Sequence, residues 1–308
     1  MSDEAADLRV RRVDERLGLA VQRVGLAPVT LVTYARDHVA VRTPSRPDFR
    51  DGNTLDLTAP PAPEQLGHYV DRFFGSVGNL GARHVQLRWE TPLPVDAPMT
   101  VPTPDAAVAR AAETLGLALH PVTVLLLDQL RPVSEPDAQL APISPPGGTP
   151  GGAVDRRWYA ATVLYRYEAG DTPNDWRGID LGFVDWSVEQ QRALALADRC
   201  QVWIALRHGT PVARLTLTHD RQGLAAVEDV VTHPVHRRIG IASALTHRAV
   251  AAHLEVYPGS RVGLGAYPAS EAERLYRRLG FVPHATVWTA FAADAASVPG
   301  GTSGDGER

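Results

Sequence analysis

Hydrophobic and polar positions alternate with different periods along this chain, and each change of period predicts an element. In the first half, Pro28–Tyr34 and Thr54–Leu57 read as strands. Leu66, Tyr69, Val70 and Phe73 recur at helical spacing, which predicts a helix from Pro63 to Phe74. A strand is expected at His84–Trp89. A helix is then expected from Thr103 as cap, with Pro104 in its first position, to Leu115-Gly116. The apolar run Val122–Leu127 reads as a buried strand. Trp158–Tyr167, rich in aromatic and β-branched residues, reads as another.

The second half has a clearer rhythm. Ser187–Cys200 predicts a helix capped by Ser187. Gln201–Arg207 and Val212–Thr218 predict two strands joined at His208-Gly209-Thr210-Pro211 as a hairpin. Leu224–Thr232 is a third strand, His236–Leu254 a helix, and Arg261–Tyr267 a strand. Ser270–Leu279 is a helix closed by Gly280, and Phe281–Phe291 supplies the last strand or strands. This mixture predicts an α/β fold built on a mixed sheet.

Three polar stretches interrupt the pattern. Ser134–Asp155 is rich in Pro and Gly and reads as a linker or long exposed loop. Ala169–Asp175 carries the turn residues Gly170, Pro173 and Asn174, and Ser297–Arg308 reads as a disordered tail. The expected domains are 1–170, with a Pro/Gly-rich loop at 132–156, then 171–292, and a tail at 293–308. A total of 308 residues suits two domains of about 100–150 residues each.

Composition removes several chemistries. All 31 basic residues are Arg, so there is no Lys for a Schiff base or for a P-loop. A net charge of -4 argues against a basic nucleic-acid face. The single cysteine, Cys200, excludes an intrachain disulfide and a Cys-rich metal site, and it reads as a small buried hydrophobe. No metal is expected. The start, MSDEAADLRVRRVDERLG, lacks the apolar stretch of a secretory signal, and no run is long enough to span a bilayer. The expected setting is the cytoplasm, with no membrane partner.

The chemistry concentrates in Val227–Val250. A strand enters a turn that reads Pro234-x-x-Arg237-x-x-Gly240-x-Ala242, and a helix follows. Gly240 and Ala242 remove side-chain bulk where the helix begins. The first N–H groups of a helix lack internal partners and carry partial positive charge, so this place suits a pyrophosphate. Arg237 and Arg238 add charge-assisted donors. About 30 residues later, after one more strand, comes Ala272-x-x-Leu275-Tyr276-x-x-Leu279-Gly280-Phe281.

These two motifs, in this order, resemble the GNAT N-acetyltransferase superfamily over roughly Trp186–Phe291. The resemblance implies acetyl-CoA as co-substrate. It implies that Val230, Val231 and Thr232 on a splayed strand would bond the pantetheine arm through their backbone. Arg237, Arg238, Ile239, Gly240, Ile241, Ala242 and Ser243 would hold the pyrophosphate, and Tyr276 would stand near the sulfur. One position departs: the family often has Asn seven residues before the helix Tyr, and here it is Ala269.

Acetyl transfer needs a base for the amine and an acid for the thiolate. Glu228 is the first candidate base, Asp229 the reserve on the opposite face by strand alternation, and Tyr276 the acid. The first half has no such loop. Ala111-Ala112-x-x-Leu115-Gly116-Leu117 faintly resembles the second motif, which suggests a degenerate GNAT-like copy without a cofactor site. In that copy Val122–Leu127 and Trp158–Tyr167 would form a terminal strand pair. Arg42, Arg46, Arg50 and Asn53 form a polar cluster that reads as a solvated loop or, alternatively, as part of an acceptor pocket. The expected activity is acetylation of a small-molecule primary amine. Alternatives are an acceptor like that of the mycothiol-synthase-like enzymes, a protein N-terminal or lysine amine, and a non-catalytic acetyl-CoA-binding regulator. The acceptor and the oligomeric state are not legible in the sequence.

Overall fold

The order helix, three strands, helix, strand, helix, strand occurs twice in the computed structural model, which describes residues 16–143, 157, 158, 160, 161, 164 and 181–299. The first pass is α1 (Leu17–Val24), β1 (Leu31–Tyr34), β2 (His38–Arg42), β3 (Thr54–Leu57), α2 (Leu66–Ser76), β4 (Val85–Pro92), α3 (Ala106–Thr114) and β5 (Ala118–Leu127). After β6 (Gln139–Pro142) comes the second: α4 (Leu181–Leu196), β7 (Cys200–Arg207), β8 (Thr210–His219), β9 (Leu224–Thr232), α5 (Ile241–Val256), β10 (Arg261–Ala266), α6 (Glu271–Arg278) and β11 (Phe281–Ala292). Among the described residues, no helix is long and apolar enough to cross a membrane.

Two units divide these elements. The first takes its described residues from within Met1–Val124, Ala266–Glu273 and Pro283–Arg308. Its strands run β1-β2-β3-β4-β11, antiparallel except for the parallel β3–β4 pair. Leu66, Val70 and Phe73 form the buried stripe of α2, and Val108 and Ala112 that of α3. Both stripes pack on Leu55, Leu57, Leu87 and Trp288. The second unit takes its described residues from within Leu125–Gly265 and Arg274–Val282, with strand order β10-β9-β8-β7-β6. Here β10 is parallel to β9 and the other pairs are antiparallel. Trp158, Ala161, Val188 and Leu194 cover Val202 and Ile204.

Several expectations change. The described residues of Trp158–Tyr167 are helical, not extended. Trp158, Ala161 and Leu164 are all buried, and a spacing of three puts them on one helix face, so packing overrides the β propensity. Among the described residues, the expected terminal strand pair is therefore not formed. Part of the Pro/Gly stretch is instead strand β6, which pairs with β7 from Gln139↔Leu206 to Pro142↔Trp203. Residues 144–156 and 165–180, with the break at 169–175 and a boundary near 170, lie outside the described residues. Before the expected tail, Ala295–Ser297 form a 3-10 turn, and Val298 is buried in the first core. Residues 300–308 also lie outside.

Helix starts shift for local reasons. Asp105, not Thr103, caps α3, its carboxylate accepting from the N–H groups of Ala107 and Val108. Ser187 lies inside α4. The β7–β8 connection is a two-residue turn, with His208 and Gly209 both at positive φ, the geometry that matches strand twist. Gly280 closes α6 at φ 98, and a Cβ there would stand 1.8 Å from the Gln129 carbonyl oxygen, so only glycine fits.

Candidate active site

Strand β9 is where the second unit departs from regular pairing. Its parallel ladder to β10 covers Leu224↔Arg261, Ala225↔Val262 and Ala226↔Gly263, and stops. The remaining residues of β9, Val227 to Thr232, diverge from β10 and present an edge of backbone groups. This edge includes Val230, Val231 and Thr232. On its other side β9 stays paired with β8, but the register jumps from Thr216↔Glu228 to Arg214↔Val231. Two residues of β9, Asp229 and Val230, thus oppose Leu215 alone. This is a β-bulge, and Asp229 takes the bend at φ 50.

The bulge corrects the sequence reading of the two carboxylates. Strict alternation would send Glu228 and Asp229 to opposite faces. Instead Glu228 Oε2 accepts from the Thr218 hydroxyl at 3.1 Å, and Asp229 Oδ2 accepts from the Thr216 hydroxyl at 3.2 Å. Thr216 and Thr218 share one face of β8, so both carboxylates stand on that face. Gln191 Nε2 on α4 also donates to Asp229 Oδ2, at 2.7 Å, and the fully buried Arg214 reaches it at 3.4 Å. Cys200 lies among Glu228, Arg214 and Asp229, and burial, the largest influence, pushes its thiol up. The buried thiol packs as a small hydrophobe.

After β9 the chain does not enter a helix at His236. Pro234–His236 make one 3-10 turn, with the half-buried rings of His233 and His236 5.8 Å apart. Arg238 and Gly240 then both take positive φ, 68 and 86, and α5 begins at Ile241. Its cap is glycine, which gives no side-chain bond to the first N–H groups. The first intrahelical bond runs from Ala244 N to Gly240 O, so the N–H groups of Ile241, Ala242 and Ser243 precede it. A Cβ on Gly240 would meet nothing within 4 Å, so the space in front of them is open. Arg237 and Arg238 are exposed beside this space, and Ile239 is exposed as well, whereas the Ile241 side chain is buried and offers only its backbone. Arg237 Nε donates to the Thr232 carbonyl at 3.0 Å, folding the guanidinium over the end of β9.

Tyr276 lies on α6, which follows β10. Its ring is buried edge-on against Phe281, with centroids 6.2 Å apart. At the departed family position, Ala269 sits at φ 60 and its N–H donates to the buried Glu273 carboxylate at 2.7 Å. Among the described residues, no group of three or more His, Cys, Asp or Glu is placed to hold a metal ion. A cavity of about 420 Å³ lined by His219, His253 and Tyr257 opens at the C-terminal end of α5. It is roughly 24 Å from the loop at the helix start, at about 1.5 Å per residue, and holds none of these groups.

The acetyltransferase (GNAT) domain family matches residues 198–283, which hold the splayed strand, the open loop and the helix of Tyr276. These residues carry a GNAT domain. The fold reaches further than that match. A conserved protein of unknown function from Staphylococcus epidermidis ATCC 12228 aligns with 87% of this chain and 96% of its own, at TM-score 0.62 and 12% identity. A GCN5-related N-acetyltransferase from Kribbella flavida aligns with 88% of this chain and 93% of its own, at TM-score 0.54 and 18% identity. A tandem GNAT protein from the clavulanic acid biosynthesis pathway covers 89% of this chain and 87% of its own, at TM-score 0.53 and 12% identity. No curated protein sequence matches the chain. The chain thus has a tandem GNAT fold with one matched GNAT domain.

The first unit holds its equivalent strands shut. There the parallel pair β3–β4 runs Leu55↔Leu87 and Asp56↔Arg88, leaving a single residue of β3 beyond it. Arg88 clamps Asp56 at that point, with Nε to Oδ1 at 2.7 Å and Nη2 to Oδ2 at 3.1 Å. Arg23 on α1 pairs with the same carboxylate. Helix α2 starts from a 3-10 turn at Pro63–Gln65, without a glycine loop. The polar residues Arg42, Arg46, Arg50 and Asn53 each have a partner within the first unit. Asn53 is buried and brackets its own loop, bonding Thr43 N and the Arg46 and Phe49 carbonyls. Arg42 bonds the Thr33 hydroxyl, Arg46 pairs with Asp48, and Arg50 stacks over Phe291.

Sequence reasoning missed Gln191, Arg214, Thr216 and Thr218. A signal existed: Arg214, Thr216 and Thr218 alternate with Ala213, Leu215 and Leu217, and both rows are buried. A polar row inside a central strand marks a site more often than a solvent face.

Proposed function

We propose that the chain transfers the acetyl group of acetyl-CoA to a primary amine of a small molecule, at a single cleft in the second unit. The observation that carries this reading is the divergence of β9 from β10 directly before an uncapped helix start. The splayed edge suits a pantetheine arm, and the loop from Arg237 to Ser243 suits a pyrophosphate. The thioester supplies the acetyl group when bound. Glu228, half-buried and bonded to the Thr218 hydroxyl, takes the proton of the attacking amine. A backbone N–H on the free edge of β9 stabilises the negative charge that develops on the carbonyl oxygen. The Tyr276 hydroxyl returns a proton to the departing CoA sulfur. With no Lys in the chain, side-chain amines do not compete with an added acceptor.

The test is thiol release from acetyl-CoA across a panel of polyamines, aralkylamines and amino acid amides. Turnover is expected with at least one class, and Tyr276→Phe is expected to lower kcat about tenfold with acetyl-CoA affinity retained. Tight acetyl-CoA binding without release across the panel would refute catalysis. Calorimetry is expected to find one acetyl-CoA per chain, because Arg88 and Asp56 close the first unit. Gly240→Asp probes the loop separately. Asp tolerates positive φ, and its charge favours a helix start, so thermal stability should hold. Its carboxylate would compete for the N–H groups meant for the phosphates, and acetyl-CoA affinity should fall by about 100-fold, roughly 2.7 kcal/mol. Unchanged affinity would remove the loop from the cofactor site.

A further inference from the structure

We propose that Arg214 is a positioning residue for acetyl transfer: it clamps the β9 bulge through Asp229 and so fixes where the Glu228 carboxylate and the following backbone edge stand. This rests on the reading of Glu228 as the base. Asp229 is one of the few non-glycine residue types that tolerate φ 50, but the two-for-one mismatch leaves the ladder disrupted there, so the bulge needs an anchor to persist. Relaxation to a regular ladder would send Asp229 to the opposite face and redirect the backbone beyond it.

The anchor is a closed ring of directed bonds. Arg214 Nη2 donates to the Thr216 hydroxyl at 2.7 Å and to Gln191 Oε1 at 2.9 Å. The Thr216 hydroxyl and Gln191 Nε2 each donate onward to Asp229 Oδ2. Arg214 Nη1 also donates to the Ala161 carbonyl at 3.3 Å. One buried guanidinium therefore ties the bulge to β8, to α4 and to the helical residues around 161. The planar fork of Arg suits several fixed acceptors at once. The arrangement also divides the two carboxylates. Asp229 Oδ2 is occupied by three donors and serves as the anchor. Glu228 accepts from the Thr218 hydroxyl on the same face and is the proton acceptor in the reading above.

A double-mutant cycle tests this. Rates are measured with acetyl-CoA and the panel amine that releases CoA fastest. Arg214→Met should lower kcat ten- to a hundredfold while acetyl-CoA affinity changes less than threefold. In the Glu228→Gln background the same change should lower kcat far less, because most of the effect of Arg214 passes through Glu228. Equal losses in both backgrounds would mean a general structural role and overturn the proposal. Should Arg214→Met fail to fold, Asp229→Asn enters the same cycle with an expected loss of three- to tenfold and the same non-additivity. Hydrogen exchange reads the clamp without turnover. The amides of Asp229–Thr232 should exchange faster in the clamp variant while those in the middle of α5 do not, and unchanged exchange at β9 would sink the clamp. Full activity of Glu228→Gln alone would instead overturn the base assignment and leave the exchange result to decide the clamp.

Discussion

Asp56→Ala is expected to destabilise the first unit by about 3–5 kcal/mol, the usual cost of breaking a buried ion pair from one side. Asp56 and Arg88 are 1% and 2% exposed, so neither charge can turn to water when its partner leaves. Burial works to raise the Asp56 carboxyl, and the guanidinium groups of Arg88 and Arg23 overcome it, holding the group below the ordinary carboxylate value. The sign follows. A carboxyl with a depressed folded-state pKa contributes stability above its unfolded value, near pH 4, and loses it as pH falls through the folded one. Wild-type stability measured by urea unfolding should therefore drop below about pH 4. The variant should start lower and lack this part of the drop. Replacing both members, Asp56→Leu with Arg88→Met, should cost far less than Asp56→Ala, since no unpaired Arg88 charge remains. A double variant as unstable as Asp56→Ala would mean that the pair is not the cause.

That ion pair bears on the difference between the two halves. In the first, a charge pair closes the parallel strands where the second has its opening. In the second, the Arg that meets the equivalent carboxylate comes from β8, on the other side of β9, and the β10 side stays free. The same residue types, Arg, Asp, Thr and a helix Gln, thus surround a closed pair in one unit and an open edge in the other.

Much of this was legible in residue order. Periodicity located β3 and β9 to the residue, because short apolar strands end abruptly at Thr58 and His233. The glycine signals at Gly240 and Gly280 marked real positive-φ positions. What escaped was set by tertiary contacts. Trp158 and Ala161 looked extended until they found a helix face to bury. The face of Asp229 followed from a bulge that depends on Arg214, fifteen residues away in sequence. The return of residues 283–299 to the first unit leaves no local trace, since an edge paired with β4 reads the same as any other strand. Asn53 looked like a loop or pocket residue, and only its three loop bonds show that its polar groups are spent on folding.

Glu228→Gln is the change expected to cost the most activity. Removing a positioned general base typically lowers rate by about 10²–10⁴-fold. The amide nearly matches the carboxylate in shape and can still accept from the Thr218 hydroxyl, so the bulge and its anchor should survive. Acetyl-CoA affinity should be unchanged, because the loop from Arg237 to Ser243 and the edge of β9 bind through other atoms. The loss should thus fall on kcat, which separates a missing proton acceptor from a damaged cleft. Asp229→Asn supplies the contrast. Its oxygen already takes bonds from Gln191, Thr216 and Arg214, so it should lose only three- to tenfold. An outcome with the two losses reversed would move the base to Asp229 and leave Glu228 as a hydroxyl-bound neighbour on the same face.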